Sequence, residues 1–392
     1  MRSRTTKRLT PDAEKLVSHT LALAASSSRI EDRFWERQLN KLLFRLLQKG
    51  NQSTLDNALE HLQTNHSDVY GTLANLIESQ SESAEIDREG QSWDGLLIAI
   101  PMLAWTRYSI PSGPIKSELL LSISNHLESH IVAEKGRVFF SPFLYSIDQL
   151  PRTHCEAWRL TQRLVQAAID REKASQLTRD LPETAPIFAD PRFLLAAIAV
   201  PYDSPMFRWQ EDGARHSERI HCREQWAAQC GPNLGALLPG CEIETLLPDA
   251  YYASCREADE RIRPHTIRTG LRYLEERLAL KPIELRAIIA GFGEKNIDEY
   301  RISFTQRDSN DVIYGMVWPL YGSENGEVEN DTVEMLINLL KTCGITKIRK
   351  HASLFVPEYC EDCGTPLYPD PIGEVVHVEM PEDIEPNHPH FH

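Results

Sequence analysis

Between residues 11 and 78 the apolar positions recur every three or four places, the spacing of a helix with one buried face. Thr10-Pro11-Asp12-Ala13-Glu14 joins a capping hydroxyl to a proline at the first helical position and acids in the first turn. It predicts a helix carrying Leu16, Val17, Leu21 and Leu23. Phe34, Trp35, Leu39, Leu42, Leu43, Leu46 and Leu47 fall on one face of a second helix, stopped by Gly50. Ser53–Asp56 opens a third through Leu59 and Leu62, and a fourth is expected from Asp68 to Glu78. Residues 79–90 are polar and aperiodic and read as a linker. The expected first domain, 1–88, is a helical N-terminal subdomain with that linker.

Beyond the linker the apolar residues become continuous. Three runs end in proline: Leu96 to Pro101, Ala196 to Pro201 and Tyr314 to Pro319. A second proline with an aromatic close behind follows each one, at Pro142, Pro248 and Pro357, after 41, 47 and 38 residues. Between the two lies an amphipathic stretch: 115–130, 222–238 (interrupted by Gly231-Pro232) and 332–343. In the third copy Gly344 ends the helix and Ile345–Phe355 returns as a strand. Each unit reads as strand, loop, helix, strand, with the strand buried on both faces and closed by a proline that cannot donate to a ladder. His154 opens a helix reaching Lys173; Ser254 opens another, followed by a separate helix, Ile267–Leu278. Tyr300–Thr305 should form a hairpin with Val312–Trp318 through a turn at Asp308–Asp311. The expected class is α/β, with α+β as the variant: three related strand–helix–strand units at 89–190, 191–290 and 291–359, then a zinc-knuckle-like tail at 360–392.

Composition narrows the function. At 392 residues the chain is long enough for more than one core. A net charge of −15 argues against a dedicated nucleic-acid binder, which needs clustered Lys and Arg. No apolar run is long enough for a membrane span. The basic start, Met1–Thr10, lacks the apolar core of an export signal, so a cytoplasmic protein is expected, with that arm either a disordered terminus or a contact for an anionic partner. In that compartment the eight cysteines read as thiols and metal ligands, not disulfides.

The chemistry concentrates at the end of the chain. Cys360-Glu-Asp-Cys363-Gly364 has the form of a zinc knuckle: the turn aims both sulfurs inward, and Gly accepts the backbone conformation beside them. Two more ligands must come from downstream, where His377, His388, His390 and His392 lie. The alternating stretch from Gly373 to Met380 can fold the tail back as a strand. The expected set is Cys360, Cys363, His390 and His392 around zinc, with His388 as the substitute. A redox role is disfavoured, because Glu361 and Asp362 raise the thiol pKa. An ordinary pair of cysteines with an accidental His-rich end is the bland alternative.

Other constellations are weaker. His216, His221, Cys222 and Cys230 invite a second metal site, and a solvated loop explains them as well. His154-Cys155 near Asp148 suggests a nucleophile, but adjacent residues on a helix diverge. Gly291-Phe-Gly293 reads as a loop between helix and strand and lacks a phosphate-binding fingerprint. Trp93, Trp105, Tyr108, Trp209 and Trp318 surround the strand-closing prolines, as core or as the lining of a pocket.

In Asp32-Arg-Phe-Trp35, Ser309-Asn-Asp-Val-Ile-Tyr-Gly315 and Cys360–Pro369 the chain resembles a family of uncharacterised bacterial proteins, mostly beta-proteobacterial, that carries a domain-of-unknown-function label. The resemblance covers nearly the whole chain and implies a bacterial cytoplasmic setting but no activity. The leading expectation is therefore a non-enzymatic scaffold with a structural zinc and a protein partner. A metal-dependent hydrolase with an open zinc site and a small-ligand-binding regulator are the alternatives.

Overall fold

The computed structural model describes residues 9–171, 181–182, 188–213, 216–294, 296–320 and 329–379. The N-terminal helices follow the pattern closely: α1 Pro11–Ala24, α2 Arg29–Gln48, α3 Gln52–Asn65 and α4 Ser67–Glu82. Thr10 caps α1 by accepting from the Ala13 N–H at 3.2 Å, and Gly50 ends α2 at φ +67°. Leu39, Leu43, Leu46 and Leu47 are buried between the helices, whereas Phe34, one turn earlier, is half exposed.

The polar stretch 79–90 is not a linker. Its first residues finish α4, and Ser83–Arg88 forms β1, which pairs antiparallel with β2, Gln91–Trp105. The turn places Glu89 and Gly90 at φ +52° and +79°, the backbone that a two-residue hairpin needs. The strand is polar because it lies at a sheet edge, with alternate residues facing solvent.

β2 and β5 (Ala189–Pro201) are the middle of the larger sheet, and β4 (Arg137–Ser146) and β3 (Gly113–Pro114) extend it beyond β5. Every pairing in it is antiparallel. Along its other edge β2 carries β1, then β7 (Asp249–Ala250), then β6 (Glu242–Thr245). Pro101 lies inside β2, not at its end; it falls in the gap between the β7 and β6 partners, where no donor is needed. Pro142 likewise sits at an irregularity within β4.

Both faces of this sheet are covered, which explains the continuous apolar runs. Leu97, Ala99, Phe193 and Leu195 pack with α6 (His154–Asp170) and the first half of α8 (Tyr251–Leu278). Ile98, Ile100, Leu194 and Ala196 pack on the opposite side with α5 (Ser117–His130) and α7 (His216–Gly235). Through Cys155, α6 also joins the core of α1–α4. A Cβ on Gly95 would overlap Val165 of α6, so only glycine lets that helix approach β2 so closely.

The smaller sheet runs β10-β9-β8-β11: Val312–Pro319, Glu299–Gln306, Leu285–Phe292 and Lys347–Lys350. The expected hairpin is present as β9 and β10. Gly291 lies within β8 instead of in a loop, and the strand expected over 345–355 is confined to β11, which pairs parallel with β8. α8 and α9 (Glu329–Thr342) cover one face of this sheet. The two helices expected around residues 254–278 are one, α8, despite Pro264. At 28 residues it is about 42 Å long. Ala258 and Ile262 contribute to the first core, Ile267, Leu271 and Leu274 to the second. No helix among the described residues is long and apolar enough to cross a membrane.

Two outcomes follow. Gly95→Ala should lower stability by about 1–3 kcal/mol in urea unfolding. Combined with Val165→Ala it should cost less than the sum of the two single changes, because the second removes the overlap. Glu82, at the end of α4, accepts the Tyr252 N–H at 2.9 Å, and its pKa is pushed up to about 7, first by burial and then by Glu78. Between the ordinary value of 4.5 and 7 the folded state holds a proton that the unfolded state has released, so stability falls as pH rises through that window. Glu82→Gln keeps an acceptor for Tyr252 and should remove this part of the slope in urea midpoints measured from pH 4.5 to 7.5.

Candidate metal centre

The uncovered face of the smaller sheet has an unusual composition for an interior. Along β9, Tyr300, Ile302 and Phe304 enter the core with α8 and α9, while Arg301, Ser303 and Thr305 point the other way and are also fully buried. What buries them is the segment after β11. β12 (Tyr368–Pro369) and β13 (Val375–Val376) form a short hairpin against this face. Gly315 of β10 has no side chain because the Tyr368 ring occupies that space, 2.6 Å from where a Cβ would stand.

Arg301 is the anchor. Nε donates to Glu299 Oε1 at 2.7 Å, and Nη1 donates to the Glu358 and Leu367 carbonyls at 2.8 and 2.5 Å. The guanidinium lies 4.3 Å from the Phe292 ring centre and 5.2 Å from that of Tyr359. Ser303 donates its hydroxyl to the Pro369 carbonyl. The carbonyls held by Arg301 belong to the two ends of a loop, 358–367, and the Leu367 N–H donates to the Glu358 carbonyl to close it. Above that closure Tyr359 bridges Pro366, and the Cys360 N–H donates to the Thr365 carbonyl. The Gly364 N–H turns back to the Cys360 carbonyl at 2.8 Å, with Gly364 at φ +74°. The two cysteines therefore stand at the tip of a braced hairpin.

The chain returns to that tip through a turn built on Asp370. Its Oδ1 accepts the N–H groups of Ile372, Gly373 and Glu374, and Gly373 takes φ +100°. His351 holds the Asp370 carbonyl at 2.9 Å. β13 then delivers His377, whose Nε2 lies 3.2 Å from Cys363 Sγ. The ligand atoms of Cys360, Cys363 and His377 all lie within 4.8 Å of one another, a group that can hold a metal ion. A sulfur and a nitrogen on one tetrahedral zinc stand about 3.6 Å apart, so the observed spacing fits a shared ion. The Thr365 hydroxyl contacts Cys363 Sγ at 3.0 Å. That hydroxyl, then the Thr365 N–H and then His377 hold the Cys363 pKa down to about 6, against the expectation that Glu361 and Asp362 raise it, so the thiolate form that binds metals is favoured.

Cys360 and Cys363 are thus together as expected, and the hairpin return of 373–379 is present. His377 takes a place that the expected set gave to a tail imidazole; His388, His390 and His392 lie outside the described residues. The signal for His377 was its position after a turn-forming Asp-Pro-Ile-Gly and three residues, Glu374 to Val376, of the returning strand.

The other candidates go elsewhere. Cys222 and Cys230 are buried around Trp226, with their thiol pKa raised by burial, Cys230 to about 12; His221 faces solvent, and the side chain of His216 lies outside the described residues. Cys155 is buried among α1–α4 with its thiol also raised by burial, and His154 contacts Gln52, not the thiol. Among the described residues no second group of three metal-binding side chains converges. Trp93 and Trp318 belong to the cores, Trp209 stacks on Phe207, and Trp105 and Tyr108 line a cavity.

No curated protein and no solved structure matches the chain. One family does match, and it does so from residue 1 to residue 391, across both sheets and the knuckle. The chain belongs to the protein family of unknown function DUF2863.

Proposed function

We propose that this protein is a zinc-binding scaffold in which a structural ion locks the C-terminal hairpin, presenting a fixed surface to a protein partner. The observation that carries the reading is the convergence of Cys360, Cys363 and His377 within 4.8 Å on a loop whose backbone is already braced. Two thiolates with an imidazole suit zinc over hard ions that prefer oxygen ligands. A fourth ligand from the tail, His390 or His392 with His388 as substitute, would complete the set and would leave no position for a reacting water. The acidic chain, at −15, favours a protein partner over nucleic acid or an anionic membrane, and a cytoplasmic setting keeps the thiols reduced.

The exposure of Cys363 supports a second reading. If Cys360, Cys363 and His377 were the only protein ligands, a bound ion would keep a position for water and would supply hydrolytic chemistry there. Spectroscopy on the cobalt-substituted protein separates the two: a closed site keeps its absorption bands when anions are added, and an open site changes them.

Untagged protein purified without chelator should contain about one zinc per chain by elemental analysis, as one tetrahedral site requires. Cys363→Ser and His377→Ala should each lose most of it, and His390→Ala with His392→Ala should weaken retention while leaving binding measurable. No zinc in the purified protein, and none taken up on addition, would remove both readings. Chelation should leave far-UV circular dichroism unchanged and open the 360–365 loop to protease.

Arg301→Met tests the mount beneath the site. It leaves the Glu299 carboxylate and two tail carbonyls without their buried donor, at a cost of about 3–5 kcal/mol. Zinc retention should fall with it, although no ligand has changed.

A further inference from the structure

Away from the knuckle, a cavity of about 860 Å³ opens where the end of β2, the chain before β6 and the second half of α8 meet. Its size is that of a small-molecule site. One wall is Trp105, held in place from two sides. Its ring stacks on His265 at 4.0 Å with 22° between the planes, and its indole N–H donates to Glu242 at 2.7 Å. Another wall is Tyr273, whose ring lies 5.1 Å from that of Phe188. Tyr108 stands at the mouth, 70% exposed, an aromatic side chain with nothing to bury it.

Three arginines join these rings. Arg107 is engaged with Glu276 at 3.3 Å. Arg272 and Arg277 line the same space and have no carboxylate partner among the described residues, in a chain where acids exceed Lys and Arg by 15. The helix dipole accounts for a cation at Arg277, in the last turn of α8. Arg272 lies within the helix, with Arg268 four residues before it and Glu276 four residues after, and Glu276 is engaged by Arg107. The lining sets three arginines against Glu242 and Glu276, so an anion between Arg272 and Arg277 balances the excess charge, and a flat ring beside it fits the walls.

We propose that this cavity binds a nucleoside monophosphate, the base against Trp105 and Tyr108 and the phosphate between Arg272 and Arg277. A phosphate monoester carries about −1.5 to −2 charges at neutral pH and accepts from two guanidinium forks at once, which a single carboxylate does less well. The cavity volume accommodates base, sugar and phosphate together. Thr269 on α8 and Glu242 supply polar groups for the sugar or the base edge. The assignment is independent of the metal, since none of these residues belongs to the knuckle.

Isothermal titration calorimetry with AMP, GMP, CMP and UMP on the full chain at low salt tests it. At least one nucleotide should bind in about the micromolar range, and inorganic phosphate about tenfold or more weaker, because it lacks the stacking partner. Arg272→Gln with Arg277→Gln should weaken binding by about 10- to 100-fold. Tyr108→Ala should weaken it by about tenfold. These three side chains are exposed, so the apo melting temperature should not move. Absence of binding by all four nucleotides at millimolar concentration would overturn the proposal. So would binding that the arginine pair does not affect, or benzoate binding as tightly as the best nucleotide.

Discussion

A guanidinium buried beneath a sheet, with its charge balanced by an acid two residues earlier on the same strand, is the interaction on which both halves of this molecule rely. Arg301 is fully enclosed; Glu299 neutralises it, and its Nη1 captures the carbonyls of both Glu358 and Leu367. Arg192 does the same work in the larger sheet. Asp190 pairs with it, and its other nitrogens reach the carbonyls of Pro111 and Ile110 at 2.9 Å. Residues two apart on a strand share a face, so acid and base are aligned before any tertiary contact forms. Each pair then gives irregular chain a place to dock, because a loop laid on a sheet needs partners for its backbone carbonyls. An apolar residue in place of either arginine would take that donor from two loop carbonyls at once. This makes the ion pairs a matter of specifying where the loops lie more than of net stability, which buried pairs seldom supply.

The second constraint is α8, which belongs to both cores. A helix buried at one end against the larger sheet and at the other against the smaller one fixes their separation and orientation. Pro264 removes one backbone bond between the two halves, and in an isolated helix that costs about 3 kcal/mol. Here Arg263, buried beside the proline, is tied to Asp259 one turn back at 2.6 and 2.9 Å and lies over Trp318, so the turn that lost a bond is braced by a side-chain pair. The aromatic cavity lies along the same helix, at the point where the larger sheet ends.

Much of this was legible in the sequence wherever one physical signal dominated. Helical spacing located α1–α4, and continuous apolar runs located β2, β5 and β10, because burial on both faces leaves no polar positions to interrupt them. Where signals competed, the reading failed. β1 is polar because it is an edge, and an edge strand and a linker share a composition. Pro101 looked like a terminator, but a proline can sit within a strand whose neighbouring edge happens to have a gap there. β8 was hidden by Gly291, where the Ile297 side chain fills the space a Cβ would need, so a glycine that usually marks a loop here marks close packing. The knuckle sulfurs were legible from their spacing alone. Its mount was not, although Glu299-Tyr-Arg301 within an apolar strand was the signal to follow.

The mount also bears on what a metal can do here. Arg301, Ser303, the ring of Tyr368 against Gly315, the bond from His351 to the Asp370 carbonyl and the bond from the Glu379 N–H to the Val312 carbonyl all attach the tail without an ion. The base of the hairpin is therefore held by the sheet, and an ion adds little to it. What an ion would join is the tip, where Cys360 and Cys363 meet His377. Binding energy spent there would brace the tip and leave the cores unaffected. That division fits a clasp whose closure depends on metal supply and on thiol oxidation, set on a scaffold whose stability depends on neither.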